Sequence, residues 1–302
     1  MKCFRKSWLG LAASAVLFSA PALAQEGRGD VVYVPTPQVV VEEMLRMAKI
    51  GPGDYIIDLG SGDGRIVITA AKKFGAQGFG VDLDTYLLGI ARDNAKKEGV
   101  AERAHFVEEN LFRTDLSKAT VVSSYLLPEM NLKLRPKILA MKPGTRVIAH
   151  DYHMGDWYPD DQRDIPVPEK EVGTPGMSHI YLWIVPAKVA GTWQAHVEVA
   201  GKDTPYEIQF DQLFQILEGT LRAGTGSTAL RGRLNGEQLT FTAQPKGSPG
   251  GQRHEFTGRV DGDRIVGTVR IGEGASARQA KWTAKLASRG EPRRGADEVA
   301  GR

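Results

Sequence analysis

The residues best suited to chemistry sit in one short run, Asp58-Leu59-Gly60-Ser61-Gly62-Asp63-Gly64. Glycines at this density let a backbone turn tightly and approach a ligand without side-chain interference. The run follows an apolar, strand-like segment, Tyr55 to Leu59, and opens a helix-like one, Arg65 to Phe74. A further carboxylate, Asp82, ends the next apolar stretch, 22 positions after Gly60. An acid at that place accepts hydrogen bonds from ribose hydroxyls. The spacing is G-x-G-x-G. It is not the G-x-G-x-x-G whose helix N-terminus receives a pyrophosphate, so a nucleotide-dependent oxidoreductase is disfavoured. Asp58 and Asp63 would also repel a pyrophosphate. They suit a nucleoside that carries an amino group and a sulfonium cation, which is S-adenosylmethionine.

The elements that must hold this loop alternate between strand and helix. Thr36 is expected to cap a first helix with Pro37 at its first position. Val40, Val41, Met44, Leu45 and Ala48 then repeat at helical spacing up to Gly51-Pro52-Gly53. Strands are expected at Tyr55–Leu59, Gly78–Leu83, His105–Glu108, Ala119–Leu126, Thr145–His150 and His179–Val185. Asp84 or Thr85 would cap a helix that runs to Gly99, and a helix after the fourth strand would break near Pro136. Residues 151–178, with their repeated prolines, read as an irregular excursion. Such alternation means a parallel, doubly wound sheet.

The run Asp58–Gly64, with Val81-Asp82-Leu83-Asp84, resembles motifs I and II of class I S-adenosylmethionine-dependent methyltransferases, over roughly residues 31–186. Tyr33-Val34-Pro35-Thr36-Pro37 and the stretch 58–68 are similar to the small protein-lysine methyltransferases related to those that modify mitochondrial carrier and ATP synthase subunits. Tyr125 to Glu129, Arg135-Pro136, Lys142 to Val147 and Asp156-Trp157 fit the same group. The resemblance implies a Rossmann-like, seven-stranded methyltransferase sheet with S-adenosylmethionine as cofactor. It gives Gly60, Ser61, Gly62, Asp63 and Gly64 to the loop under the methionine part, and Asp58 to the organisation of that loop and the amino group. Asp82 goes to the ribose, Leu83 beside it is expected to touch the cofactor, and Asn110 stands where an Asp near the adenine is more usual. Thr36 would help to hold the cofactor carboxylate.

The acceptor is less legible. The Asn/Asp-Pro-Pro-Tyr/Phe tetrad of base and glutamine methylases is replaced by Ser124-Tyr125-Leu126-Leu127-Pro128, which disfavours those substrates. Tyr125, Tyr152, His153 and Trp157 are expected around the acceptor, because aromatic walls hold an ammonium by cation–π contact. A protein amine or a small molecule fits. His150-Asp151-Tyr152-His153 would be a metal site only with a third ligand, and none is indicated, so no metal is expected.

Beyond about Ala190 the pattern changes to short alternating runs dense in glycine. Asn235-Gly236 and Asp261-Gly262 are strong hairpin signals. The run 232–239 (GRLNGEQL) is echoed 26 residues later at 258–265 (GRVDGDRI). Two related hairpins imply a small all-β antiparallel barrel or sandwich over 190–287, with Trp193 and Trp282 inside it. Residues 25–189 would form the methyltransferase domain, and the polar 288–302 a disordered tail.

Charge adds one constraint. The chain holds 39 Lys+Arg and 36 Asp+Glu, and Lys2, Arg5 and Lys6 account for the whole excess. Bulk charge therefore gives no case for a nucleic-acid partner. Those three cations, the short apolar run Trp8 to Ala20 and Ala22-Leu23-Ala24 have the layout of a secretory signal peptide over 1–24. Cleavage would remove Cys3, the only cysteine, and leave no transmembrane segment. A periplasmic or secreted enzyme is expected, although S-adenosylmethionine is made in the cytosol. The rival reading is a non-catalytic periplasmic binding or scaffold protein with a relic nucleoside-binding domain.

Overall fold

The computed structural model describes residues 32–199, 202–245 and 252–297. The expected signal peptide lies outside them. An N-terminal α/β domain comprises α1 (Gln38–Met47), β1 (Tyr55–Leu59), α2 (Arg65–Phe74), β2 (Gln77–Asp82), α3 (Thr85–Lys97) and β3 (Ala104–Glu108). It continues through β4 (Val121–Ser124), α4 (Pro128–Leu139), β5 (Arg146–His150), β6 (Asp161–Pro166) and β7 (Met177–Ile184). The sheet is seven-stranded in the order β3-β2-β1-β4-β5-β7-β6. The first five are parallel, and β7 runs antiparallel to both β5 and β6. Strand order reverses between β1 and β4, so the crevice at their carboxyl ends is where this architecture binds ligands. No helix among the described residues is long and apolar enough to cross a membrane.

Two apolar layers hold the sheet. One face packs against α1, α2 and α3 through Val40, Met44, Leu45, Val67, Ala70 and Leu88. The other packs against α4 through Leu59, Val122, Leu134, Ile138 and Val147, and extends to Trp157 and Trp183. Asp84 caps α3, accepting from the N–H groups of Tyr86 and Leu87. Thr36 does not cap α1: Pro37 takes that position without a side-chain bond. α4 continues through Pro136 to Leu139. Nor is 151–178 wholly irregular. It contains β6, an edge strand with mostly exposed residues and no alternation to betray it.

The second domain is a closed up-and-down barrel of β8 (Gly191–Val199), β9 (Lys202–Leu213), β10 (Ile216–Ala223) and β11 (Gly226–Asn235), then β12 (Gln238–Ala243), β13 (His254–Asp261), β14 (Arg264–Ile271) and β15 (Arg278–Arg289). Each strand pairs with its sequence neighbour, and β15 returns to β8 to close the ring. Closure removes the sheet edges that would otherwise invite association. Side chains fill the interior. Phe241 and Phe256 stack at 4.4 Å, and Trp282 meets both rings edge-on.

The barrel joins the α/β domain away from the glycine loop. Ala187 N–H donates to Gly236 O at 2.9 Å, and Arg233 pairs with Asp160 at 2.7 Å. The expected disordered tail is ordered as far as it is described. β15 reaches Arg289, Arg293 N–H donates to Gln212 O, and Asp297 accepts from Asp156 N–H at 2.8 Å. Its polar composition forms directed bonds to the junction where it could not form a core.

Candidate active site

The loop between β1 and α2 crosses the carboxyl ends of the central strands. Gly60, Gly62 and Gly64 all adopt left-handed backbone conformations. Close packing enforces two of them. A Cβ on Gly62 would stand 2.3 Å from the Tyr33 ring, and one on Gly64 would stand 2.5 Å from Phe106. Asp82 fixes the loop from the end of β2: one oxygen accepts from Gly62 N–H at 2.9 Å, the other from Asp84 N–H at 3.0 Å.

Three carboxylates surround this loop. Burial opposes the ionisation of Asp63, but the Arg65 guanidinium outweighs that and holds it below the usual range. Arg65 also reaches Thr36 O, which ties the segment before α1 to the loop. Tyr33 is pushed up to about 12 by burial and by the charge on Asp63. Asp58 and Asp82 have no basic side chain on them among the described residues. Asp58 is buried and accepts from Ser123 Oγ at 2.7 Å. Burial pushes it up to about 7, Asp82 and Asp63 add to the rise, and the Ser123 bond only partly offsets it. The site is therefore short of positive charge, and a cationic ligand group would relieve it. The buried Ser61 hydroxyl has no hydrogen-bond partner among the described residues, which also fits a place built for a polar ligand.

Two apolar side chains are exposed at β2 and β3. Leu83 is 41% exposed after β2, and Val107 is 44% exposed on β3. Asn110 accepts from Phe112 N–H through Oδ1 at 2.9 Å, which pins its amide in a tight turn.

A second group of side chains stands at the ends of β4 and β5. Tyr125 stacks on Tyr152 at 6.1 Å and lies 4.0 Å from the His150 ring. His150 is wholly buried, with Nδ1 at 3.1 Å from Thr36 Oγ1 and Nε2 at 2.9 Å from Ser178 Oγ. Burial lowers its pKa to about 4. Lys170 and His179 lower it further against the pull of Asp151, so the imidazole is neutral. Thr36 thus supports this wall through His150, and its hydroxyl is not aimed along α1. His153 is exposed and accepts from Gly155 N–H.

Trp157 does not line the site. It is fully buried at the junction, its indole N–H donating to Gln215 Oε1 of the barrel at 2.9 Å. Its aromatic bulk packs against Trp183 and Phe214, leaving no free face for an acceptor. Sequence reasoning missed Lys170 and Ser178. Lys170 lies 19 residues beyond Asp151 in a stretch without periodicity, so nothing local marks it.

Residues 58–161 match the ANTKMT methyltransferase domain. A protein-lysine N-methyltransferase of Saccharolobus islandicus is 42% identical over 158 residues, covering 51% of this chain and 94% of that protein. An adenine nucleotide translocase lysine N-methyltransferase of Mus musculus is 32% identical over 133 residues, 44% of this chain and 58% of that one. Among solved structures, one described as an RNA methyltransferase from Salinibacter ruber, in complex with S-adenosyl-L-homocysteine, is 44% identical. It covers 52% of this chain and 96% of that chain, with a TM-score of 0.46. The fold and the loop define a class I methyltransferase. This chain belongs to the family of the ANTKMT methyltransferase domain and is an S-adenosylmethionine-dependent enzyme.

Proposed function

We propose that the protein methylates the side-chain amine of lysine in a protein acceptor. The observation that carries this reading is the stacked Tyr125–Tyr152 pair at the ends of β4 and β5, across the strand-order reversal from the glycine loop. Aromatic faces hold an alkylammonium by cation–π contact while leaving its nitrogen able to lose a proton. The 42% identical relative, itself named a protein-lysine N-methyltransferase, supports the choice of acceptor.

Asp82 has lone pairs left for the ribose hydroxyls after accepting from Gly62 and Asp84. Asp58 would face the cofactor's ammonium group, and Ser61 would gain the partner it lacks. Gly60, Gly62, Asp63 and Gly64 shape the floor, with Tyr33 against it. Leu83 would cover the adenine, and Asn110 would offer its amide nitrogen to the ring. When bound, S-adenosylmethionine would supply an electrophilic methyl on its sulfonium for the neutral lysine amine, whose excess proton would pass to water. The residues at β4 and β5 orient the amine, since a closely aligned displacement gains most from positioning. His153, at the rim, would meet the chain flanking the lysine.

The proposal extends to location. The leader read at residues 1–24 would place the enzyme outside the cytosol, and fractionation of cells that express the full chain tests it. The acceptor reading is tested by incubating residues 25–302 with S-adenosylmethionine and protein extract, then searching the digest for methylated lysine by mass spectrometry.

A further inference from the structure

Asp151 directly follows β5 with a left-handed backbone, φ 61°, and is almost fully buried. Its Oδ1 accepts from Lys170 Nζ at 2.8 Å and from His179 N–H at 3.0 Å. Its Oδ2 accepts from Tyr125 OH at 3.0 Å and lies 2.6 Å from Lys170 Nζ. A carboxylate has about four lone-pair sites, so these donors occupy it. Lys170 is as fully engaged, since its remaining proton goes to Met177 O. Asp151 is therefore not placed to take a proton from a substrate. Its carboxylate and the Lys170 ammonium neutralise each other inside the protein.

The consequence falls on Tyr125. Its one proton is directed to Asp151, so toward any other group its oxygen is only an acceptor. Burial and the charge on Asp151 hold its hydroxyl well above the usual phenol range, so it stays protonated and keeps this polarity. A neutral amine about to attack carries two N–H donors and one lone pair. An acceptor oxygen beside it takes an N–H and so turns the lone pair elsewhere.

We infer that the Asp151–Lys170 ion pair locks the Tyr125 hydroxyl as an acceptor-only contact for the substrate amine. Tyr125 is then a catalytic residue that touches the acceptor nitrogen, and Asp151 and Lys170 are positioning residues behind it. The inference rests on the lysine reading above. Asp151→Asn reverses the polarity: the amide oxygen turns to Lys170, its NH₂ donates to Tyr125, and the phenol proton points at the amine.

The test is a double-mutant cycle on residues 25–302, with lysine methylation of a protein extract as readout. Titration of S-adenosylhomocysteine serves as a control for folding and cofactor binding. Tyr125→Phe should lower the methylation rate by about 100-fold, as loss of one oriented contact does. Its affinity for S-adenosylhomocysteine should stay within about threefold. Asp151→Asn should lose a similar factor alone, and less than about threefold more in the Tyr125→Phe background. Lys170→Arg should recover most of the rate that Lys170→Met loses. Methylation at the native rate by Tyr125→Phe overturns the inference and leaves the lysine reading standing. The same factor lost by Asp151→Asn in both backgrounds overturns it too. Tyr125→Phe removes one oxygen only, so it decides the matter if the Asp151 variant does not fold. No methylated lysine from the native chain overturns both readings.

Discussion

Trp157 donates its indole N–H to Gln215 Oε1 at 2.9 Å, and Gln215 returns its Nε2–H to Tyr158 O at 2.7 Å. The loop that follows β5 is thereby anchored in the barrel. Trp183 adds a third bond, to Trp157 O. The barrel braces the methyltransferase domain through these bonds. Burial here is complete, so the indole cannot exchange its partner for water.

Removing this anchor should cost stability and spare the cofactor site. Trp157→Phe leaves a buried amide oxygen unpaired and should lower unfolding free energy by about 1–3 kcal/mol. Trp157→Ala should cost about 3–5 kcal/mol. Urea unfolding measures both, with S-adenosylhomocysteine affinity as control. An unchanged midpoint for Trp157→Phe would show that the junction bond stabilises nothing.

Asp82 has two tasks, holding the Gly62 and Asp84 amides and, on the proposed reading, receiving the ribose. Asp82→Ala should weaken S-adenosylhomocysteine binding by about 100-fold or more, in line with the loss of charge-assisted hydrogen bonds. Calorimetric titration reads the constant directly. Native affinity in the variant would move the nucleoside site elsewhere.

The two substitutable glycines should fail differently. At Gly64 a Cβ meets the packed Phe106 and Ala91, so Gly64→Ala should lower stability by about 2 kcal/mol or more. At Gly62 it meets the ring of Tyr33, which is partly exposed and can move. Gly62→Ala should therefore retain more stability than Gly64→Ala and lose more cofactor affinity. Thermal unfolding and calorimetry together check this, and the reverse order would contradict it.

Asp58 and His150 give stability opposite dependences on pH. Asp58 titrates at about 7 when folded against an ordinary 3.8. Between these values the unfolded chain holds fewer protons, so rising pH removes stability, by up to about 4 kcal/mol. His150 titrates at about 4 against 6.5. Between those values the unfolded chain holds more protons, so rising pH adds stability. Asp58→Asn abolishes the first effect, and its stability relative to the native chain should climb from pH 4 to pH 7. Unfolding curves across that range measure the difference, and a flat one would remove Asp58 from this account.

The glycine loop and its strand-end acid were legible because those residues are contiguous or regularly spaced. Asp58 to Gly64 is one turn, and Asp82 follows at the end of the next strand. The barrel hairpins were marked by Asn235-Gly236 and Asp261-Gly262, whose turn chemistry is local. The cluster around Tyr125 and His150 depends on tertiary contacts. Thr36 meets His150 across 114 positions, and the position that reads as an N-cap supports a buried imidazole instead. Lys170 looks like a surface lysine until the fold brings Asp151 to it. Trp157 reads as an aromatic near the site, because only the barrel reveals its partner. Strand β6 is exposed along most of its length, with Ile165 its only aliphatic core contact, so no alternation announces it.

The most direct test of methyl transfer to lysine is to incubate the purified chain, residues 25–302, with isotopically labelled S-adenosylmethionine, protein extract and RNA, then locate the label by mass spectrometry. Label on lysine side chains, lost in Asp82→Ala, is the predicted result. Label on RNA alone, or in no acceptor while S-adenosylhomocysteine still binds, would contradict it.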